Sequence, residues 1–139
     1  MPDAAPILNV LVIDDSEIAR ADMGHRLNQA GFKVSSLASP IGATRVIVDQ
    51  AIDVVVIDVQ MPSIRGDRLA ALFKGNQRFA ALGVILVTGS GEEELEQLRA
   101  SAKADAVLSK AKLDRLVSVV KETYRKHHGN PPGAARTGR

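Results

Sequence analysis

The sequence contains no cysteine and no tryptophan, and only one tyrosine and three phenylalanines. Without cysteine there are no disulfides and no zinc–thiolate centre, which fits the reducing cytoplasm expected as its location. Proteins that bind nucleic acid usually stack bases on aromatic rings or present a broad basic face. Here aromatics are 3% of the chain, and the net charge is only +2. Much of the basic excess is C-terminal (Lys121, Arg125, Lys126, Arg136, Arg139). It reads as a solvated basic end, so no direct nucleic-acid partner is expected. No apolar run approaches the roughly 20 residues that cross a bilayer. The opening "MPDAAP" lacks the basic flank and apolar core of a signal peptide, so no membrane partner is expected either.

What is present is core-forming sequence. Apolar residues make up 45% of the 139 residues, enough to bury one domain. Short apolar runs (Ile7–Ile13, Phe32–Leu37, Val54–Ile57, Val84–Val87, Ala106–Leu108) alternate with segments of helical period. Runs without polar alternation predict strands buried on both faces, and hence a parallel sheet covered by helices. The helical faces are Ala19, Met23, Leu27 and Ala30, closed by Gly31; Val46 and Ile47; Leu69, Leu72 and Phe73; Leu95, Leu98 and Ala102; and Leu113, Leu116, Val117, Val120 and Tyr124. Five such units predict a doubly wound α/β domain with a five-stranded parallel sheet and five helices, over residues 7–128. An N-terminal extension (1–6) precedes it. The Gly/Pro-rich "GNPPGAARTGR" reads as a flexible tail or truncated linker over 129–139.

The chemistry is expected where strands end. "VLVIDD" runs into Asp14 and Asp15, and "VVVIDVQMP" into Asp58. In a flavodoxin-like sheet of order 2-1-3-4-5, ligands bind beyond the carboxyl ends of strands 1 and 3, so three carboxylates converge there. Two carboxylates about 4 Å apart repel by roughly 4 kcal/mol at an effective dielectric near 20. A cation should relieve this, and oxygen ligands with retained water suit Mg²⁺. Thr88 and Lys110 end strands 4 and 5 at the same edge. A metal, a hydroxyl and an ammonium together can neutralise a phosphoryl group.

This arrangement resembles the receiver domain of two-component response regulators, of the chemotaxis-regulator type. The resemblance covers about residues 7–125. It rests on "DD" after strand 1, an Asp after strand 3 followed by "xxMP" and Gly66, a Thr after strand 4 and a Lys after strand 5. It implies that Asp58 accepts a phosphoryl group from a histidine kinase phosphohistidine. It implies that Asp14, Asp15, Asp58 and the Gln60 backbone carbonyl hold Mg²⁺, and that Thr88 and Lys110 bind the phosphoryl oxygens. It further implies a sensor histidine kinase or phosphotransfer protein as donor, and a downstream protein or an output domain as receiver of the signal. The chain is then a switch rather than a free-standing enzyme. Three positions depart from the family pattern: Val107 stands where an aromatic is usual, Ala111 follows the lysine where proline is usual, and Arg65 precedes the loop glycine where Asp is usual. Ala111 leads us to expect a trans Lys110–Ala111 bond.

Three other readings compete. A degenerate receiver would bind partners without phosphorylation. A Mg²⁺-dependent phosphatase would want a second acid at position 60, which is Gln. A flavin carrier would want a phosphate-cradling first loop instead of "DDSE". The first helix could be capped by Asp14, Asp15 or Ser16, and Gly66 is expected to permit a tight turn into the third. His25, His127 and His128 are expected at the surface, and "GEEELE" as a solvated helix start with its acids favoured by the dipole.

Overall fold

A computed structural model describes residues 7–129. Its strands are β1 (Asn9–Ile13), β2 (Lys33–Leu37), β3 (Val54–Asp58), β4 (Gly83–Thr88) and β5 (Ala106–Ser109). The helices are α1 (Glu17–Gln29), α2 (Ala43–Asp49), α3 (Gly66–Lys74), α4 (Glu92–Ser101) and α5 (Leu116–His128). All strand pairings are parallel and the order is β2-β1-β3-β4-β5, as expected from the sequence.

The central strands are apolar throughout because helices cover both faces of the sheet. Alternation within β1 divides the two layers. Leu11 and Ile13 join Val55, Ile57 and Leu86 in a core closed by Ile47, Leu69, Phe73 and Leu98. Val10 and Val12 join Val56, Ile85 and Val87 in the opposite core, closed by Met23, Leu27, Leu116, Val120 and Tyr124.

Several expectations need correction. β1 begins at Asn9, and Ile7 is exposed. β2 is not buried on both faces: it pairs only with β1, and Lys33 and Ser36 are exposed. An edge strand has less cover than a central one. Ala30 is the exposed C-cap of α1 rather than part of its buried face. Leu72 is 63% exposed, because α3 buries the stripe Leu69, Ala70 and Phe73, and Leu72 lies off that stripe. Leu113 belongs to a 3₁₀ turn (Lys110–Arg115) ahead of α5. The extension 1–6 and, apart from Gly129, the tail 129–139 lie outside the described residues.

Nothing in the sequence marked Asp105 as a hub at the lower edge of the sheet. Its side chain is 2% exposed. It accepts from the Val84 N–H at 2.8 Å and pairs with Lys74 at 2.9 Å, Lys126 at 3.1 Å and His127 Nε2 at 3.0 Å. Burial alone would raise its pKa; the Val84 N–H, then Lys74, His127 and Lys126, reverse that and hold it at about 2. His127 is therefore partly buried and engaged, not a plain surface residue, and His128 stacks on Tyr124.

Candidate phosphoryl-transfer site

Strand register builds the site. Ile13 pairs with Ile57, which sets Asp14 beside Asp58 where the two strands leave the core. Asp58 pairs with Val87, and Thr88 with Ser109, which brings Lys110 to the same edge. Asp14 and Asp58 are buried, Asp15 is exposed, and each offers an oxygen within 4.8 Å of the others. Lys110 Nζ lies 2.9 Å from Asp14 Oδ2 and 3.2 Å from Asp58 Oδ1.

Local contacts hold these groups. The Ser16 N–H donates to Asp14 Oδ1 at 2.9 Å, and Ser16 Oγ caps α1 by accepting from the Ala19 N–H. Arg20 Nη1 donates to the Asp14 carbonyl at 2.7 Å. Lys110 opens the 3₁₀ turn, whose first free N–H, on Ala111, is capped by Ser109 Oγ at 3.0 Å. No described peptide bond is cis, so Lys110–Ala111 is trans as expected. Gly66 needs its missing side chain for space, not for an unusual φ. A Cβ there would stand 2.2 Å from the Asp58 carbonyl oxygen and 2.9 Å from Val59 Cα. Helix α3 thereby starts directly against the backbone of Asp58.

The electrostatics are those of crowded acids with one internal counterion. Burial, then the neighbouring Asp14, raises the Asp58 carboxyl pKa; Lys110 and the Gln60 backbone N–H work against the rise. Burial works to lower the Lys110 pKa, but Asp14 and then Asp58 outweigh it, and the net shift is upward. Lys110 therefore stays charged between the acids. Asp14 Oδ2 and Asp58 Oδ1 are buried and make no aligned hydrogen bond, although both lie within ion-pair distance of Lys110. Both oxygens then keep lone pairs free for a further cation, so this all-oxygen donor set fits a hard divalent ion.

The structure thus brings Asp14, Asp15, Asp58 and Lys110 together. It places Thr88 at the same edge, fully buried, but with its hydroxyl engaged elsewhere. Gln60 Nε2 donates its two protons to the nearer acceptors, Glu94 Oε1 (2.7 Å) and Ser90 Oγ (3.0 Å), and lies 3.2 Å from Thr88 Oγ1, while the Thr88 hydroxyl lies 3.1 Å from Glu94 Oε1. Arg65 holds the other oxygen of Glu94 at 3.2 Å and Asp67 at 3.0 Å. Sequence reading missed this network. In the sequence Glu94 reads as a solvated helix-start acid, and Gln60 as a backbone carbonyl ligand and a non-acid at its position, with no side-chain partner for either. The one available signal was Arg65, a cation where the family pattern has an acid. Val107, half-buried on β5, pairs with Leu86 and packs against the core under α2, α3 and α4.

Residues 10–121 match the family described as the response regulator receiver domain. Among curated proteins, the chain is 34% identical over 110 residues to the gliding motility regulatory protein of Myxococcus xanthus, covering 79% of this chain and 14% of that protein. It is 31% identical over 112 residues to the sensor histidine kinase RcsC of Salmonella typhimurium, covering 78% of this chain and 11% of that one. It therefore spans a small part of the length of these relatives. Among solved structures, the chemotaxis protein CheY4 of Vibrio cholerae superposes with a TM-score of 0.73 at 23% identity, covering 85% of this chain and 99% of that one. The signal receiver domain of a Syntrophus aciditrophicus histidine kinase gives 0.74 at 24%, covering 96% and 94%. At these identities the structural likeness speaks for the fold.

Proposed function

Since the chain belongs to the response regulator receiver domain family of two-component signal transduction, we propose that it is a switch that takes a phosphoryl group from a kinase phosphohistidine onto Asp58, with Mg²⁺, and changes partner binding as a result. The observation that carries this reading is the convergence of Asp58 with Asp14, Asp15 and Lys110 at one strand edge.

An Asp58 carboxylate oxygen attacks phosphorus in line as the P–N bond to imidazole breaks. The bonding pair leaves with the imidazole nitrogen. Lys110, already 3.2 Å from Asp58, meets the transferred oxygens as a mobile point charge. The Thr88 hydroxyl donates to another of those oxygens. Asp14, Asp15, Asp58 and the Gln60 carbonyl would hold Mg²⁺, which supplies charge neutralisation for the transferring group. The chain is then a phosphoacceptor that catalyses its own transfer and dephosphorylation at most, not an enzyme with a separate substrate. Its donor is a sensor histidine kinase or phosphotransfer protein, its target a downstream protein or output domain, and its setting the cytoplasm. No described helix is long and apolar enough to cross a membrane.

Incubation with Mg²⁺ and acetyl phosphate, followed by intact mass, tests this. One added phosphoryl group is expected on the native chain and none on Asp58→Asn. No addition to the native chain would favour a phosphorylation-independent interaction module, and equal addition to both would move the acceptor elsewhere.

A further inference from the structure

Hydrogen-bond arithmetic at Thr88 assigns Glu94 a role in the same site. A threonine hydroxyl has one proton and two lone pairs. At Thr88 Oγ1 the Ser90 N–H at 3.1 Å engages one lone pair, and the two protons of Gln60 Nε2, 3.2 Å away, have nearer acceptors in Glu94 Oε1 at 2.7 Å and Ser90 Oγ at 3.0 Å. The single proton is left for an acceptor. Glu94 Oε1 stands at 3.1 Å and Gln60 Oε1 at 3.4 Å. The carboxylate is nearer, and an ionised acceptor makes the stronger bond. The Ser90 hydroxyl, then Arg65 and Thr88, hold the Glu94 carboxyl below its usual pKa, against the opposing effect of burial. The phosphoryl oxygens that would arrive at Asp58 are acceptors only, so they need the same proton.

We infer that Glu94 is a positioning residue that competes with the phosphoryl group for the Thr88 proton, with Gln60 and Arg65 anchoring it in the competing place. Phosphorylation must then break the Thr88–Glu94 bond, and this coupling links the acceptor to the first turn of α4. Arg65 braces the link, because its guanidinium ties the β3–α3 loop to Glu94 across the site at 3.2 Å. The inference rests on the proposed phosphorylation of Asp58.

The test is calorimetric binding of beryllofluoride with Mg²⁺, a phosphoryl mimic, to the native chain and to Glu94 variants. Glu94→Ala should tighten binding by about tenfold, the worth of one competing charge-assisted hydrogen bond. In a Thr88→Val background the same change should give less than about a twofold gain, because no proton remains to compete for. Glu94→Asp keeps the charge but withdraws the acceptor by one methylene, and should tighten binding nearly as much as alanine. An equal gain in both backgrounds, wild-type affinity in Glu94→Asp, or no effect of Glu94→Ala would each overturn the competition. Asp58→Asn separates the two proposals. If the native chain does not bind the mimic through Asp58, the proposed function fails and this inference with it. If it does bind and the Glu94 variants match it, only this inference fails.

Discussion

The Lys110 ammonium stands 2.9 Å from Asp14 Oδ2, closer than its 3.2 Å approach to Asp58 Oδ1. The internal counterion is thus shared unequally between the two acids. Burial first and Asp14 second raise the Asp58 pKa, against the pull of Lys110. Asp58→Asn should therefore leave the fold intact with an equal or higher melting temperature in metal-free buffer. Lys110 keeps its shorter pair, and one of three crowded charges is gone. A clear fall in melting temperature would contradict the crowded-acid account.

Mg²⁺ should stabilise the folded chain, because the three carboxylates meet only there. At 100 times its dissociation constant the gain is about 2.7 kcal/mol. Asp15→Ala removes the exposed carboxylate of the cluster and should lose most of this gain. Denaturant titrations of both chains with and without Mg²⁺ give the comparison, and an unchanged response in the variant would place the ion elsewhere.

Gly66→Ala should destabilise by about 1–3 kcal/mol. Its Cβ would fall 2.2 Å from the Asp58 carbonyl oxygen, and neither backbone can give way without moving α3 from β3. Phosphorylation of the variant by acetyl phosphate should slow as well, since the contact is with the acceptor's own backbone. Native stability and rate would mean that α3 shifts at no cost.

Asp105 predicts an acid transition distinct from the site. Its pKa falls from 3.8 to about 2 on folding. A carboxyl lowered in the folded state adds stability that is complete above its unfolded pKa and lost as pH falls through the folded value. The contribution, about 2 kcal/mol, should fade between about pH 4 and pH 2. Asp105→Asn should remove that portion of the pH dependence and lower stability near neutral pH. Urea titrations across the range compare the two chains, and superimposable curves would reject the hub.

Amide exchange with and without beryllofluoride and Mg²⁺ should change most from Gly89 to Glu94, and little around Val107 and α5. Thr88 and Glu94 share a hydrogen bond at 3.1 Å, whereas valine at 107 is short and restricted in its rotamers. A two-state switch driven from 1:99 to 99:1 needs about 5.5 kcal/mol of differential contacts, and Val107 has few to offer. Larger changes in α5 would show that the valine does not block that route.

The residues alone were enough to read a parallel sheet and its acidic edge, while the strand order came from the flavodoxin-like pattern and is now seen in the pairing. Uninterrupted runs such as Val54–Ile57 fit only doubly covered parallel strands, and a carboxylate at the end of such a run must emerge where the strand leaves the core. Asp14, Asp58 and Thr88 were legible because each follows an apolar run directly, and Asp15 and Lys110 because each comes one residue later. Contacts between distant segments were not legible, because no local pattern encodes them. Glu94 looked like any acid in a first helical turn until the fold set Gln60, Thr88 and Arg65 around it. Asp105 looked like a loop residue until α3, β4 and α5 delivered a lysine, a backbone N–H, another lysine and a histidine to it. Ala30 and Leu72 satisfied a helical period, yet the tertiary structure left both exposed, since period identifies a stripe while only packing decides its width. The residue types at the strand ends follow from the chain alone. The protons and counterions they share depend on distances that only the folded structure sets.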